Sequence, residues 1–204
     1  WEQMCQGKRL FICLILAELV PIEKNVMRSR YLDIKGFICL NAEVIMNSNK
    51  TDLDVLIIGA GFAGMYMLYR MRKLNFKVLA IESASDVGGT WYWNRYPGAR
   101  CDVESIEYSY SFSEELQQDW QWTHRFSDQP EILKYANHVA DRFDLRPDIK
   151  FDTKVISANY NSESKLWEVV TDKRDLYFSR FCIMATGTLS APNDPDFEGL
   201  DNFK

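Results

Sequence analysis

The apolar run Leu53-Asp54-Val55-Leu56-Ile57-Ile58 ends directly in Gly59-Ala60-Gly61-Phe62-Ala63-Gly64, and no other stretch limits the fold of this chain so narrowly. A strand that breaks into Gly-x-Gly-x-x-Gly and then into a helix is a receptor for a dinucleotide pyrophosphate. The first glycine takes the tight turn. The second leaves no Cβ in the way of the phosphates, and the third lets helix and strand pack closely. The helix N-terminus then aims free backbone N–H groups and a positive dipole end at the anion.

Glycines also recur by chance in turns, so the context decides. Beyond the motif, Met65, Leu68, Met71 and Leu74 recur at helical spacing. Lys77-Val78-Leu79-Ala80-Ile81 reads as a second strand and ends at Glu82, 23 residues after Gly59. Near that spacing a carboxylate accepts both ribose hydroxyls of an adenine dinucleotide. The same carboxylate repels a ribose phosphate, so the expected nucleotide is FAD or NAD rather than NADP.

With 204 residues, 47% of them hydrophobic, the chain can bury one sizeable core and a small appendage. The net charge of −5 argues against nucleic acid as a partner. The charge is uneven: residues 1–50 hold 7 Lys/Arg against 5 Asp/Glu, and residues 51–204 hold 17 against 24. Cys5, Cys13, Cys39, Cys101 and Cys182 are odd in number and form no C-x-x-C pair. Beside a nucleotide fold, that points to free thiols in a reducing cytoplasm. His124 and His138 stand in no ligand-spaced cluster, so no metal is expected.

Residues 1–45 are read as a weakly specified extension, with Met46 as a plausible native start and residues 46–204 as the nucleotide domain. Leu10 to Ala17, after Lys8-Arg9, has the look of a signal-peptide apolar core. The run reaches only Val20 and is interrupted by Glu18, too short to span a bilayer. No small-x-small cleavage site follows before Pro21, so secretion is the lesser alternative. If ordered, this segment is expected as a short helix against the body.

After Glu82, the stretch from Ser83 to Asp102 carries Gly88-Gly89, the aromatics Trp91, Tyr92 and Trp93, and the turn Tyr96-Pro97-Gly98. Aromatics mixed with turn residues make a shaped loop rather than a regular element, suited to a large planar ligand or to capping the core. The pattern Gly89-x-Trp91-x-x-x-x-Tyr96-Pro97-Gly98-x-x-x-Asp102 resembles the N-terminal fingerprint of type I Baeyer–Villiger monooxygenases. The resemblance runs on through Val103 to Tyr108, Gln129 to Leu133 and Ala185 to Ser190, and covers roughly residues 52–204.

This family consists of flavoproteins that insert oxygen beside a ketone, using FAD, NADPH and O2. The resemblance implies that Gly59, Gly61, Ala63 and Gly64 would hold the FAD pyrophosphate and Glu82 the adenosine ribose. Thr90 and Trp91 would lie along the flavin and ribityl chain, and Val155 would meet the adenine through its backbone. Asp102 would face the flavin and Tyr108 would line the same cleft. In such enzymes a flavin peroxide must stay deprotonated to attack the ketone. An arginine stabilises it, and Asp102 would orient that arginine rather than act as acid or base.

The remaining chain fits a glutathione-reductase-type, Rossmann-like α/β FAD domain: a parallel sheet with an inserted β-meander. A helix is expected over Ser127–Phe143, opened by Asp128 with Pro130 and Glu131 in its first turn. Strands are expected over Lys150–Ile156, Trp167–Thr171, Tyr177–Phe181 and Phe181–Met184, with a turn at Asp172–Asp175. No second Gly-x-Gly-x-x-Gly follows, and Phe203-Lys204 fits only the opening of the family's second fingerprint, Phe-x-Gly-x-x-x-His-x-x-x-Trp. The chain thus reads as the first third of such an enzyme, a truncated fragment inactive by itself. Three other readings remain open: an N-hydroxylating or dimethylaniline-type flavin monooxygenase, a non-catalytic nucleotide-binding module, and an NAD-dependent dehydrogenase.

Overall fold

Val55, Leu56 and Ile57 are at most 1% exposed, which explains why their run shows no polar–apolar alternation: both faces of the strand are covered. The computed structural model describes residues 51–190 and 196–202. Expectations for residues 1–45, Met46, Phe203 and Lys204 lie outside them. The strands are β1 (Thr51–Ile58), β2 (Val78–Ile81), β3 (Ile149–Lys150), β4 (Val155–Asn161), β5 (Leu166–Thr171) and β6 (Leu176–Met184). They form one sheet in the order β3-β2-β1-β6-β5-β4. The pairs β3–β2, β2–β1 and β1–β6 are parallel, and β6–β5–β4 is an antiparallel meander. This is the parallel sheet with inserted meander that the sequence predicts.

Two expected strands prove to be one. β6 runs antiparallel along β5 through Leu176–Ser179 and parallel along β1 through Tyr177–Met184. Conversely, the expected strand over 150–156 is broken. Asp152 takes φ +51°, its N–H donates to Ala84 O, and Thr153 N–H donates to Glu82 O, each at 2.9 Å. The chain is thereby drawn across the end of β2 before β4 begins, a tertiary demand that strand propensity does not record.

The helices are α1 (Phe62–Lys73), α2 (Thr90–Trp93), α3 (Glu114–Asp119) and α4 (Gln129–Arg142). α4 opens as expected, with the Asp128 side chain accepting from Glu131 N–H and a proline in the first turn. Its limits are tighter than 127–143. α1 starts at Phe62, three residues ahead of the expected Met65. α2 is one helical turn inside the loop that was expected to hold no regular element. α3 follows no periodic signal and is started by Ser113, which accepts from Leu116 N–H.

One core packs Val55, Ile57, Ala80 and Ile149 of the sheet against Met65 and Leu68 of α1 and Ala136 and Ala140 of α4. The opposite face of the sheet buries Leu53, Leu56, Ile81, Val169 and Tyr177. Aromatic side chains join α1 to α4 through Phe62, Tyr110, Phe112, Trp120 and Trp122 around Leu116 and Tyr135. His138 belongs to this region, its ring 5.4 Å from that of Trp120. No helix among the described residues is long and apolar enough to cross a membrane.

Candidate functional site

The glycine run lies at the C-terminal ends of β1, β2 and β6, where the ladder continues past the strands. Gly59 N–H donates to Ile81 O at 2.8 Å, and Ala185 N–H donates to Ile58 O at 2.9 Å. The three glycines serve different needs. Gly59 has φ +104°, and a Cβ there would stand 2.5 Å from Ala185 O. At Gly64 a Cβ would overlap the Gly59 carbonyl oxygen, so the helix can cross the strand only without one. Gly61 is different: its φ is −73°, which any residue adopts, and a Cβ would meet the Gly89 backbone at ordinary contact distance, Cα at 3.4 Å and N at 3.8 Å. The backbone conformation does not demand a glycine at 61, and its bare backbone leaves the helix entrance bordered by Gly89 without a side chain between them.

That entrance is electrostatically unmet. Ser113 and Asp128 cap α3 and α4 with side-chain oxygens, and both helices carry acids in the first turn. Gly61, the N-cap of α1, offers no side-chain cap, and the helix has no acid in its first turn, while Arg70, Arg72 and Lys73 sit in its last. Its first-turn amides are therefore left to an anion from outside the chain. The residues present fit an elongated diphosphate.

Glu82, 5% exposed, closes the other side. Its Oε2 accepts from Ala60 N–H at 2.6 Å, and its Oε1 accepts from Ala84 N–H at 2.8 Å and Ser83 Oγ–H at 3.2 Å. A carboxylate has about four acceptor positions, so Glu82 shapes the glycine loop while keeping capacity for a ligand hydroxyl. The 150–153 turn fixes the same corner, because Glu82 N–H donates to Lys150 O at 2.9 Å. Val155, first in β4 and paired with Thr171, follows from that turn.

The aromatic loop is pinned to both neighbours. Gly88 N–H donates to Ala60 O at 3.2 Å, which brings Thr90 and Trp91 beside the glycine run. Trp91 is 8% exposed, packs with Cys101 and Ile132, and meets Tyr108 edge-on at 5.6 Å between ring centroids. Tyr108 in turn meets Phe62 at 5.7 Å. Burial first, then the Cys101 thiol and the Asp102 carboxylate, raise the Tyr108 phenol above its ordinary range. Asp102 is exposed and makes no hydrogen bond or ion pair among the described residues. Arg95 donates to Tyr92 O at 2.7 Å and Arg100 to Phe126 O at 2.8 Å, so neither loop arginine serves it.

Sequence reasoning missed the residues that hold this loop. Cys101 N–H donates to Ser127 O at 3.0 Å and Gln129 N–H to Ala99 O at 2.9 Å. Gln129 Nε2–H also donates to Trp91 O at 2.5 Å. Ser105 Oγ accepts from Ser127 N–H at 2.8 Å and lies 2.7 Å from His124 O. Small polar residues in an aromatic stretch give no periodic signal, and only their burial (Ser105 2%, Ser127 0%) marks them.

Residues 56–204 match the family model described as pyridine nucleotide-disulphide oxidoreductase. A Baeyer-Villiger monooxygenase of Pseudooceanicola batsensis is 49% identical over 154 residues, which is 75% of this chain and 28% of that protein. The phenazine N-monooxygenase PhzNO1 of Lysobacter antibioticus is 44% identical over 78% of this chain and 30% of its own length. Among solved structures, an oxidized steroid monooxygenase bound to NADP superposes with a TM-score of 0.70 at 58% identity, covering 74% of this chain and 29% of that one. The chain thus spans under a third of the length of the relatives it matches.

Proposed function

The chain belongs to the pyridine nucleotide-disulphide oxidoreductase family, and on that premise we propose that residues 46–204 are the FAD-binding part of an NADPH- and O2-dependent monooxygenase that converts ketones to esters or lactones. The observation that carries the reading is Gly61: a glycine that its backbone conformation does not demand, at an uncapped helix start, facing the loop that bears Trp91 and Asp102.

In this reading the amides around Gly59, Gly61, Ala63 and Gly64 hold the pyrophosphate, Glu82 a ribose hydroxyl, and the Val155 backbone the adenine. Thr90 and Trp91 lie along the ribityl chain and flavin. The buried side of Trp91, with Cys101 and Ile132, keeps water from that edge. FAD, once bound and reduced by NADPH, supplies the activation of O2. Asp102, free of partners within its own loop, orients an arginine cation from outside the described residues and fixes its position by a charge-assisted hydrogen bond. Tyr108, held protonated through the neutral range, lines the cleft as a hydrogen-bond donor. The reading goes with a cytoplasmic protein acting on a small molecule, without a nucleic-acid or membrane partner.

The test is a titration of the 204-residue chain with FAD, followed by flavin fluorescence. Weak saturable binding is expected for the parent and none for Gly61→Leu, which is expected to keep a cooperative unfolding transition. Equal binding by Gly61→Leu would overturn the assignment. A second reading also has an observation behind it: the phenazine N-monooxygenase relative is nearly as similar as the Baeyer-Villiger one. Oxygen delivered to a ring nitrogen fits the same FAD part, and product analysis with a ketone and with a phenazine separates the two in a full-length monooxygenase that carries this FAD part.

A further inference from the structure

The pyrophosphate-holding amides of α1 are steadied from outside the motif. Tyr110, 48 residues away in sequence, donates its Oη–H to the Phe62 carbonyl oxygen at 2.5 Å. Its own N–H donates to Tyr135 Oη of α4 at 2.8 Å. The Phe62 ring is enclosed by Tyr108 at 5.7 Å, Tyr110 at 5.5 Å and Tyr135 at 6.1 Å between centroids. Gly61 O takes the first helical bond, from Met65 N–H at 2.9 Å, and Phe62 O, the next acceptor of the α1 ladder, takes the phenol as a donor from outside the helix.

The Phe62 carbonyl and the Ala63 N–H belong to one peptide unit. A hydrogen bond to that oxygen draws electron density through the amide and makes the Ala63 N–H a stronger donor. Ala63 is exposed, in the turn whose amides have no partner within the helix. We propose that Tyr110 is a positioning residue for the cofactor: through the Phe62 carbonyl it fixes and polarises the Ala63 amide that meets the pyrophosphate. The inference rests on the FAD reading above. Burial, reinforced by Tyr135, holds the Tyr110 phenol well above its ordinary range, so it remains a donor at any working pH.

The test compares the full chain with Tyr110→Phe and Tyr135→Phe, each of which loses one buried hydroxyl of the same aromatic cluster. Tyr110→Phe is expected to weaken FAD binding about fivefold, the factor of one net hydrogen bond, while Tyr135→Phe stays within about twofold, because it keeps the ring against Phe62 and the hydroxyl it loses bonds Tyr110 N–H rather than a group of the glycine run. In the unliganded chain, the Ala63 amide nitrogen resonance is expected to move to lower frequency in Tyr110→Phe alone. Equal affinity for parent and Tyr110→Phe, or equal weakening by both variants, overturns the inference. So does a Tyr110→Phe chain that is unfolded under assay conditions, since a positioning role leaves the fold standing. Should the parent chain bind no FAD, the functional reading falls, and the resonance decides the pinning: a shift specific to Tyr110→Phe supports it, and no shift refutes it.

Discussion

A single Cβ separates the roles of the motif's glycines. Gly64→Ala forces a methyl into the Gly59 carbonyl oxygen, a backbone atom that cannot swing away as a side chain can. The helix must lift from the strand, and a loss of about 3 kcal/mol in urea-unfolding free energy is expected, at the upper end for overpacking. Gly61→Ala makes only a contact at ordinary van der Waals distance. It is expected to cost less than about 1 kcal/mol of stability while lowering FAD affinity about tenfold. The sequence motif marks both positions alike, because spacing carries no record of what each missing side chain would have struck.

Elements are held together here by small polar clasps. Ser105→Ala leaves the buried Ser127 N–H without its acceptor and frees the segment that carries Asp102. A loss of about 1–3 kcal/mol follows from one unsatisfied buried group, measurable by chemical denaturation. The junction of β3 with the meander has a pH signature. The hydrogen bond from Lys150 Nζ–H, at 2.7 Å, holds the Asp175 carboxyl below its usual range; burial opposes this and Thr171 assists. A depressed folded pKa adds stability above the unfolded value of about 3.9, lost as pH falls through the folded one. The stability advantage of the parent over Asp175→Asn is therefore expected to shrink as the pH falls below about 5, as read by urea midpoints. An advantage that does not change with pH would count against the clasp.

Among the described residues, several large apolar side chains stand exposed. The β5 ladder ends at Ser179, and beyond it Phe181 and Met184 are each 50% exposed. Trp93, Tyr96, Leu189 and Phe197 are exposed further still. Such surface drives association, so the purified 204-residue chain is expected to self-associate with concentration in sedimentation, and monomeric behaviour at all concentrations would contradict this. With one Gly-x-Gly-x-x-Gly in the sequence, the same chain is expected not to consume NADPH in the presence of a ketone. The sequence by itself determined the strand–glycine–helix–strand unit through Glu82, the α4 start and the parallel sheet with its meander. The first two are written in neighbouring residues, as an apolar period, a turn residue or a cap, and the sheet order came with the family resemblance. Only the tertiary structure decided that β6 is one strand serving two pairings, that the chain breaks at Asp152, and that Tyr110 and Ser105 hold the site from afar. Those outcomes depend on contacts between residues far apart in sequence, as in the pairs Ser105–Ser127, Tyr110–Phe62, Asp152–Ala84 and Ile58–Met184. Such contacts leave no pattern in either segment until the sheet and helices bring them together.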